Sequence, residues 1–169
     1  MSPFLADLRA LVGDSLLMLP AATGCVFDGE GRLLVAFHND VNLWAPPGGG
    51  IDPDERPEAA VARELREELG VDIAVHGLIG AYGGPEFRTV YPNGHQVAYV
   101  LSVYGCALAG GSITPDGVEI TDARFVTEQE AETLRMPAWT PIVLPEVFAW
   151  WRAHGRSAQR DGREFNSDQ

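Results

Sequence analysis

Phe4, Leu5, Leu8, Leu11 and Val12 recur at helical spacing and predict a short amphipathic lead-in helix that packs on the core and stops at Gly13. The pattern then changes period. Two apolar runs, AATGCVFD from Ala21 and RLLVAFH from Arg32, flank Asp28-Gly29-Glu30-Gly31, turn chemistry that predicts a β-hairpin. Leu43 to Gly50 (LWAPPGGG) is too rich in proline and glycine for regular structure and predicts a shaped loop. Pro57 suits a first helical position, Ala and Glu dominate as far as Leu69, and Gly70 supplies a left-handed stop, so residues 57–69 predict a helix. VDIAVHGLIGAY and HQVAYVLSVYGCALAG predict strands joined by the loop GGPEFRTVYPNG, and VEITDARFV predicts another. Helices are expected at 128–135 and 141–154, and the polar stretch 155–169 is expected to be a disordered tail. No repeat or linker divides the chain, so residues 1–154 predict a single domain.

Composition narrows the function. A chain of 169 residues, 46% hydrophobic, is long enough for one domain with a real core. Its formal net charge of −12 argues against a duplex nucleic-acid or anionic-membrane partner, since both require clusters of basic residues. A small phosphate ligand stays compatible if cations bridge like charge to like, so the acidity hints at bound metal. Cys25 and Cys106 both lie in apolar runs without zinc-ligand spacing and read as reduced core thiols. No secretory pattern opens the chain, and no apolar run approaches the ~20 residues of a membrane span, so a cytoplasmic location is expected.

The helix at 57–69 carries the candidate chemistry. Glu64, Glu67 and Glu68 stand at i, i+3 and i+4 and crowd one face, while Val61, Leu65 and Leu69 line another. By itself this also describes a solvated Glu-rich face with Arg63 and Arg66 as ion-pair partners. Gly48, Gly49 and Gly50 just ahead favour the other reading, because they let the backbone approach a ligand closely. Carbonyl and carboxylate oxygens together make the hard site that Mg2+ prefers, its remaining positions going to water and substrate phosphates. Nucleophilic alternatives are poor: no G-x-S-x-G is present, and His38, His76, His95 and His154 stand in no recognisable triad context.

Gly49, Glu55, Arg63-Glu64-Leu65, Glu67-Glu68 and Gly70-Val71, at their observed spacing, fill every fixed position of the Nudix box, and the chain resembles that family over roughly residues 15–150. The resemblance implies a Nudix-type α/β/α sandwich with a mixed β-sheet, and a Mg2+-dependent hydrolase in which Mn2+ can substitute. It implies that Glu67 and Glu68 ligate metal and that Glu64 ligates metal or helps to position and deprotonate the attacking water. Arg63 would orient Glu64, Glu55 would brace the loop or reach a second metal through water, and the Gly48 carbonyl would complete the coordination. Gly49 and Gly70 are structural positions of the motif. Relatives often carry another acidic residue near the substrate, a role for which Glu119 and Asp122 compete.

Trp44, Phe87, Tyr91, His95 and Tyr99 are candidates to stack on a nucleobase, and Arg88 to meet phosphate. Two departures stand out. Arg56 occupies a helix-capping position where many relatives have Ser or Thr, and His38 or Asn39 must substitute for an arginine that relatives often place after the second strand. The expected substrate is a nucleoside diphosphate linked to a second moiety, such as ADP-ribose or a nucleotide sugar, because the long loop at 82–96 has room to enclose one. A nucleoside triphosphate is the alternative, and a non-catalytic nucleotide-binding sensor is the alternative from another class. The expected partner is a small-molecule nucleotide, with a homodimer left open.

Overall fold

Neighbouring residues in the central strands turn to opposite sides, and both sides are dry. In strand β1 (Leu17–Val26), Ala21 and Cys25 enter one apolar cluster while Ala22 and Val26 enter another. Strand β2 (Leu33–His38) repeats this with Leu33 and Val35 against Leu34 and Ala36. A sheet buried on both faces needs continuous apolar runs rather than alternation, as the sequence has here. In this computed structural model, which describes residues 3–164, the first cluster is closed by Val143, Val147 and Phe148 of helix α4 (Thr140–Glu164). The second is closed by Val61, Leu65 and Leu69 of helix α2 (Pro57–Leu69), and the result is an α/β/α sandwich.

The larger sheet runs β4 (Gly48–Gly50), β1, β7 (Gln96–Gly111), β5 (Val71–Tyr82), with the short β6 (Arg88–Val90) also on β7. Its β1–β7 pair is parallel and its other pairs antiparallel, so the sheet is mixed. The smaller sheet orders β3 (Leu43–Ala45), β2 and β8 (Ile120–Val126), all antiparallel.

Several expectations are corrected. The hairpin at residues 21–37 does not form as a pair of laddered strands, because both edges of β1 are taken by β7 and β4 while β2 joins the other sheet. Its remnant is a single bridge between Phe27 and Leu33, closed by the Asp28 amide donating to the Arg32 carbonyl at 3.0 Å. The proline- and glycine-rich stretch is not wholly irregular, since Leu43–Ala45 and Gly48–Gly50 are short strands on either side of Pro46 and Pro47. The presumed loop at 83–94 holds a 3-10 turn (Pro85–Phe87) and strand β6.

Helix α2 keeps its predicted bounds: Gly70 is left-handed at φ 68° and Arg56 makes no side-chain capping bond. A capping box of Thr127 and Glu130 starts α3 (Glu128–Thr133). The backbone of α4 continues to Glu164, ten residues past the limit expected at 154, and the rest of the expected tail, 165–169, lies outside the described residues. Helix α1 (Pro3–Val12) forms where predicted but turns an unexpected residue inward. Leu11 is 85% exposed whereas Arg9 is buried, its guanidinium donating to the carbonyls of Gly13, Ser15 and Gln96 at 2.7–3.0 Å. Three fixed acceptors outweigh the apolar stripe in setting the helix's rotation. Both cysteines are buried and free, and among the described residues no helix is long and apolar enough to cross a membrane.

Candidate active site

Strand β4 and helix α2 bring the chemistry together. Pairing with β1 sets Gly48 opposite Thr23, and there the backbone is so close that a Cβ on Gly48 would lie 2.3 Å from the Ala22 carbonyl oxygen. A Cβ on Gly49 would lie 2.5 Å from Oε1 of Glu64. Only glycine lets this strand press against the helix carboxylates. The Gly48 amide donates to Glu68 Oε2 at 3.2 Å.

Arg63 organises the exposed side of the cluster. Its Nε and Nη2 reach the two oxygens of Glu55, each at 2.9 Å, Nη1 reaches Glu64 at 2.8 Å and Glu67 at 3.3 Å, and Nη2 also meets the Gly50 carbonyl at 3.0 Å. Glu55 in turn accepts from the Asp52 amide at 3.1 Å, which closes the turn before the helix. Glu68 is buried, only 5% exposed, and among the described residues no cation stands beside it as Arg63 does beside Glu64. Burial first, and then the charge of Glu64, push its pKa up to about 8. Burial likewise raises Glu64, against the pull of Arg63, and Glu119 acts on both. Glu119 lines the same cleft as these carboxylates, while Asp122 pairs with Phe37 across β2 and β8 and does not line it.

These carboxylates open into a cleft of about 1230 Å³ that Phe87, Tyr91, His95 and Tyr99 also line. Phe87 is 2% exposed and lies between Tyr82 and Trp139, with ring centroids 6.2 Å away on each side. The Tyr91 and Tyr99 hydroxyls are 2.6 Å apart, and His95 bonds Asn93 and faces Asp14 at 3.6 Å. Two candidates are not brought here. Trp44 packs edge-on to Phe37 at 5.4 Å, with the Arg124 guanidinium 4.4 Å above its ring, because its strand position turns it to the core side. Arg88 is exposed, donates to Gln96 Oε1 at 2.9 Å and lies outside the main cleft.

The chain contains no lysine. The arginines lining the cleft are Arg9 and Arg63, the first spent on three carbonyls and the second on carboxylates. Among the described residues, a polyphosphate here would meet acidic side chains with no arginine free of partners, an arrangement that suits hard divalent cations between the two sets of oxygens. Among the described residues no three His, Cys, Asp or Glu side chains converge tightly enough to hold an ion unaided. The donor set therefore fits Mg2+ in chemistry, as does the buried Glu68 with its single amide donor, with substrate oxygens needed to complete the shell.

Residues 18–150 match the NUDIX domain. The chain belongs to the Nudix family. It is 42% identical over 145 residues to a MutT-like protein of Streptomyces ambofaciens, covering 86% of this chain and 85% of that one. It is 30% identical over 112 residues to a putative 8-oxo-dGTP diphosphatase of Bacillus subtilis, covering 66% and 68%. Its fold is similar to a crystal structure of UDP-X diphosphatase, with a TM-score of 0.64 at 19% identity over 91% of this chain and 72% of that one. The protein is thus a Nudix hydrolase acting on nucleotide derivatives, and Nudix hydrolases generally use divalent metal ions.

Asp116 went unnoticed in the sequence. Its carboxylate accepts from the amides of Val118, Glu119 and Ile120, and its own amide donates to the Glu68 carbonyl at 3.0 Å, which fixes Glu119 against helix α2. The dipeptide Asp116-Gly117 was its available signal. Arg9 had none, since nothing local marks a buried arginine.

Proposed function

We propose that this Nudix hydrolase cuts the phosphoanhydride of a nucleoside diphosphate joined to a second moiety, as in ADP-ribose or a nucleotide sugar. The observation that carries the reading is the breadth of the cleft. Its volume of about 1230 Å³ exceeds the range of roughly 300–1,000 Å³ typical of small-molecule sites and leaves room beyond a single nucleotide. Glu67, Glu68 and Glu119 would hold Mg2+, or Mn2+ in its place. When bound, the metal neutralises the pyrophosphate and makes water more acidic.

The protein's own part is to place and take a proton. Arg63, clamped by Glu55, fixes one oxygen of Glu64 at 2.8 Å and leaves the carboxylate to receive the proton of the attacking water. Burial makes Glu64 a stronger base than a solvated glutamate. Water attacks phosphorus directly, the P–O bond to the second phosphate breaks, and no covalent enzyme intermediate forms.

A nucleoside triphosphate is the second reading, favoured by the likeness to a putative 8-oxo-dGTP diphosphatase. A pure binding module is disfavoured by a site that retains Glu64 with both of its orienting partners. Turnover across ADP-ribose, nucleotide sugars and nucleoside triphosphates with Mg2+ tests the choice. Two monophosphate products at the highest kcat/KM support the proposal. Pyrophosphate release from a triphosphate as the best reaction overturns it for the second reading, and no turnover on the whole panel overturns both.

A further inference from the structure

Glu68 and Glu119 come to the cleft from different layers of the fold. Glu68 lies on helix α2, where the Gly48 amide of the larger sheet holds its carboxylate at 3.2 Å. Glu119 immediately precedes β8 of the smaller sheet. Among the described residues the only strand pairing between the two sheets is the single bridge of Phe27 to Leu33, and neither residue lines the cleft. No ladder near the site therefore sets the distance between the two glutamates.

The segment between β7 and β8 supplies the link. The Thr114 amide donates to the Leu69 carbonyl at 2.8 Å and the Asp116 amide to the Glu68 carbonyl at 3.0 Å, so the segment hangs on the last turn of α2. From that anchor the Asp116 carboxylate reaches forward. Its Oδ1 accepts from the amides of Val118 at 3.0 Å and Ile120 at 2.9 Å, and its Oδ2 from the Glu119 amide at 3.3 Å. Gly117, left-handed at φ 77°, turns the chain tightly enough for one carboxylate to take three successive amides. On the far side the Asn39 amide, just past β2, donates to the Glu119 carbonyl at 2.9 Å. Both backbone polar groups of Glu119 are thus held, the amide by Asp116 and the carbonyl by Asn39.

We infer that Asp116 is a positioning residue of the metal site: with its amide on Glu68 and its carboxylate on the Glu119 amide, it sets the spacing at which these two glutamates meet a divalent cation. Mg2+ takes its oxygens at about 2.0–2.1 Å in near-octahedral array, so a ligand displaced by a few tenths of an ångström binds it poorly. The inference rests on the reading that Glu68 and Glu119 hold the cation, and not on which phosphoanhydride is cut. Asp116 and Glu119 both line the cleft, so holding has to be told from ligating. Asparagine at position 116 keeps an oxygen for the Val118 and Ile120 amides and loses the charge. Glutamate keeps the charge and, one methylene longer, carries its oxygens past the three amides.

Titration of the full chain with Mn2+, the free ion read by electron paramagnetic resonance, tests this without turnover. Asp116→Ala and Asp116→Glu are expected to weaken Mn2+ binding at least about tenfold, and Asp116→Asn by about threefold or less. Glu119→Gln is expected to weaken it as well. Adding Asp116→Ala to Glu119→Gln should change the affinity by no more than about threefold, because the brace then has no charged ligand left to place. Wild-type affinity in Asp116→Ala overturns the inference even if melting temperature falls, since that is the behaviour of a turn with a purely structural role. If Asp116→Ala does not fold, the other two variants decide. Weak binding in Asp116→Asn with wild-type binding in Asp116→Glu overturns positioning and makes Asp116 a ligand through its charge. Losses that multiply in the double variant overturn the route through Glu119. Wild-type binding in Glu119→Gln removes Glu119 from the metal set, and then the reading of the site fails along with the inference.

Discussion

Arg63 grips Glu55 with two nitrogens, Nε and Nη2, each 2.9 Å from a separate carboxylate oxygen. The grip spans the turn before helix α2 and leaves Nη1 for Glu64, so Glu55 governs a carboxylate it does not touch. Glu55→Gln is expected to lower kcat about 10- to 100-fold with little change in KM, by analogy with the loss of a partner that orients a ligating side chain. Arg63→Lys is expected to lose as much, because an ammonium cannot make the paired contact. Steady-state kinetics with thermal melts check this, and an unchanged kcat in either variant would remove the positioning role.

Neighbouring glycines should fail in different ways. A Cβ at Gly48 meets backbone, the Ala22 carbonyl at 2.3 Å, and the residue has φ 151°. Gly48→Ala is therefore expected to destabilise the fold by about 2 kcal/mol or more, seen as a melting point lowered by about 5 °C. A Cβ at Gly49 meets the carboxylate end of the Glu64 side chain instead. Gly49→Ala should keep its melting temperature and lose turnover, and equal melting losses in the two variants would contradict this account.

Glu68 separates folding from metal binding. Its buried carboxylate has its pKa raised to about 8, so the charge burdens the fold while serving as a ligand. Glu68→Gln is expected to melt no lower than wild type in chelator, to lose the rise in melting temperature that Mg2+ gives, and to drop at least about 100-fold in turnover. Melting curves with and without Mg2+ decide it. A full Mg2+ response in the variant would take Glu68 out of the metal set.

Acid should act on the turn at Asp28. Burial opposes its charge, but the amides of Arg32 and Glu30 and the Arg32 guanidinium outweigh it and hold the pKa below 3.8. A carboxylate depressed in the folded state stabilises the fold above its unfolded pKa and loses that contribution as pH falls through the folded one. Asp28→Asn is therefore expected to lower the melting temperature at pH 7, with the gap to wild type closing toward pH 3. A gap that stays constant across that range would refute an electrostatic contribution.

What the sequence revealed followed the range of the forces involved. Helix α2 was legible to the residue because Pro57, the Val61/Leu65/Leu69 stripe and Gly70 act locally. The two-sided burial of β1 and β2 was visible as unbroken apolar runs, but their partners were not. Local turn chemistry at Asp28–Gly31 predicts a hairpin, whereas the ladder from Leu17–Val97 to Val26–Cys106 is set by a strand some eighty residues away. In the site, spacing alone put Glu64, Glu67 and Glu68 on one face. The arrival of Glu119 depends on Asp116 capping a distant turn, and Trp44 was misread because an aromatic in a Pro/Gly-rich stretch looks the same whether it faces ligand or core.

Arg88 and Tyr91 lie three residues apart on one hairpin and should differ in kind. Arg88 is exposed, bonds Gln96 and lies outside the main cleft, so it is not placed for the phosphate contact expected from sequence. Tyr91 lines the cleft and shares its hydroxyl with Tyr99 at 2.6 Å. A residue that touches substrate changes discrimination between substrates, whereas a packing or surface residue changes stability or nothing and treats all substrates alike. Arg88→Ala is therefore expected to keep the ratios of kcat/KM among ADP-ribose, a GDP-sugar, GTP and ATP within about twofold of wild type. Tyr91→Ala is expected to shift at least one ratio by about tenfold, and Tyr91→Phe, which keeps the ring and loses the hydroxyl, to shift that ratio by less. Thermal melts of each variant guard against a shift caused by partial unfolding. Unchanged ratios and melting in both Tyr91 variants would take this hairpin out of the substrate pocket and, with it, the breadth argument for a two-part substrate.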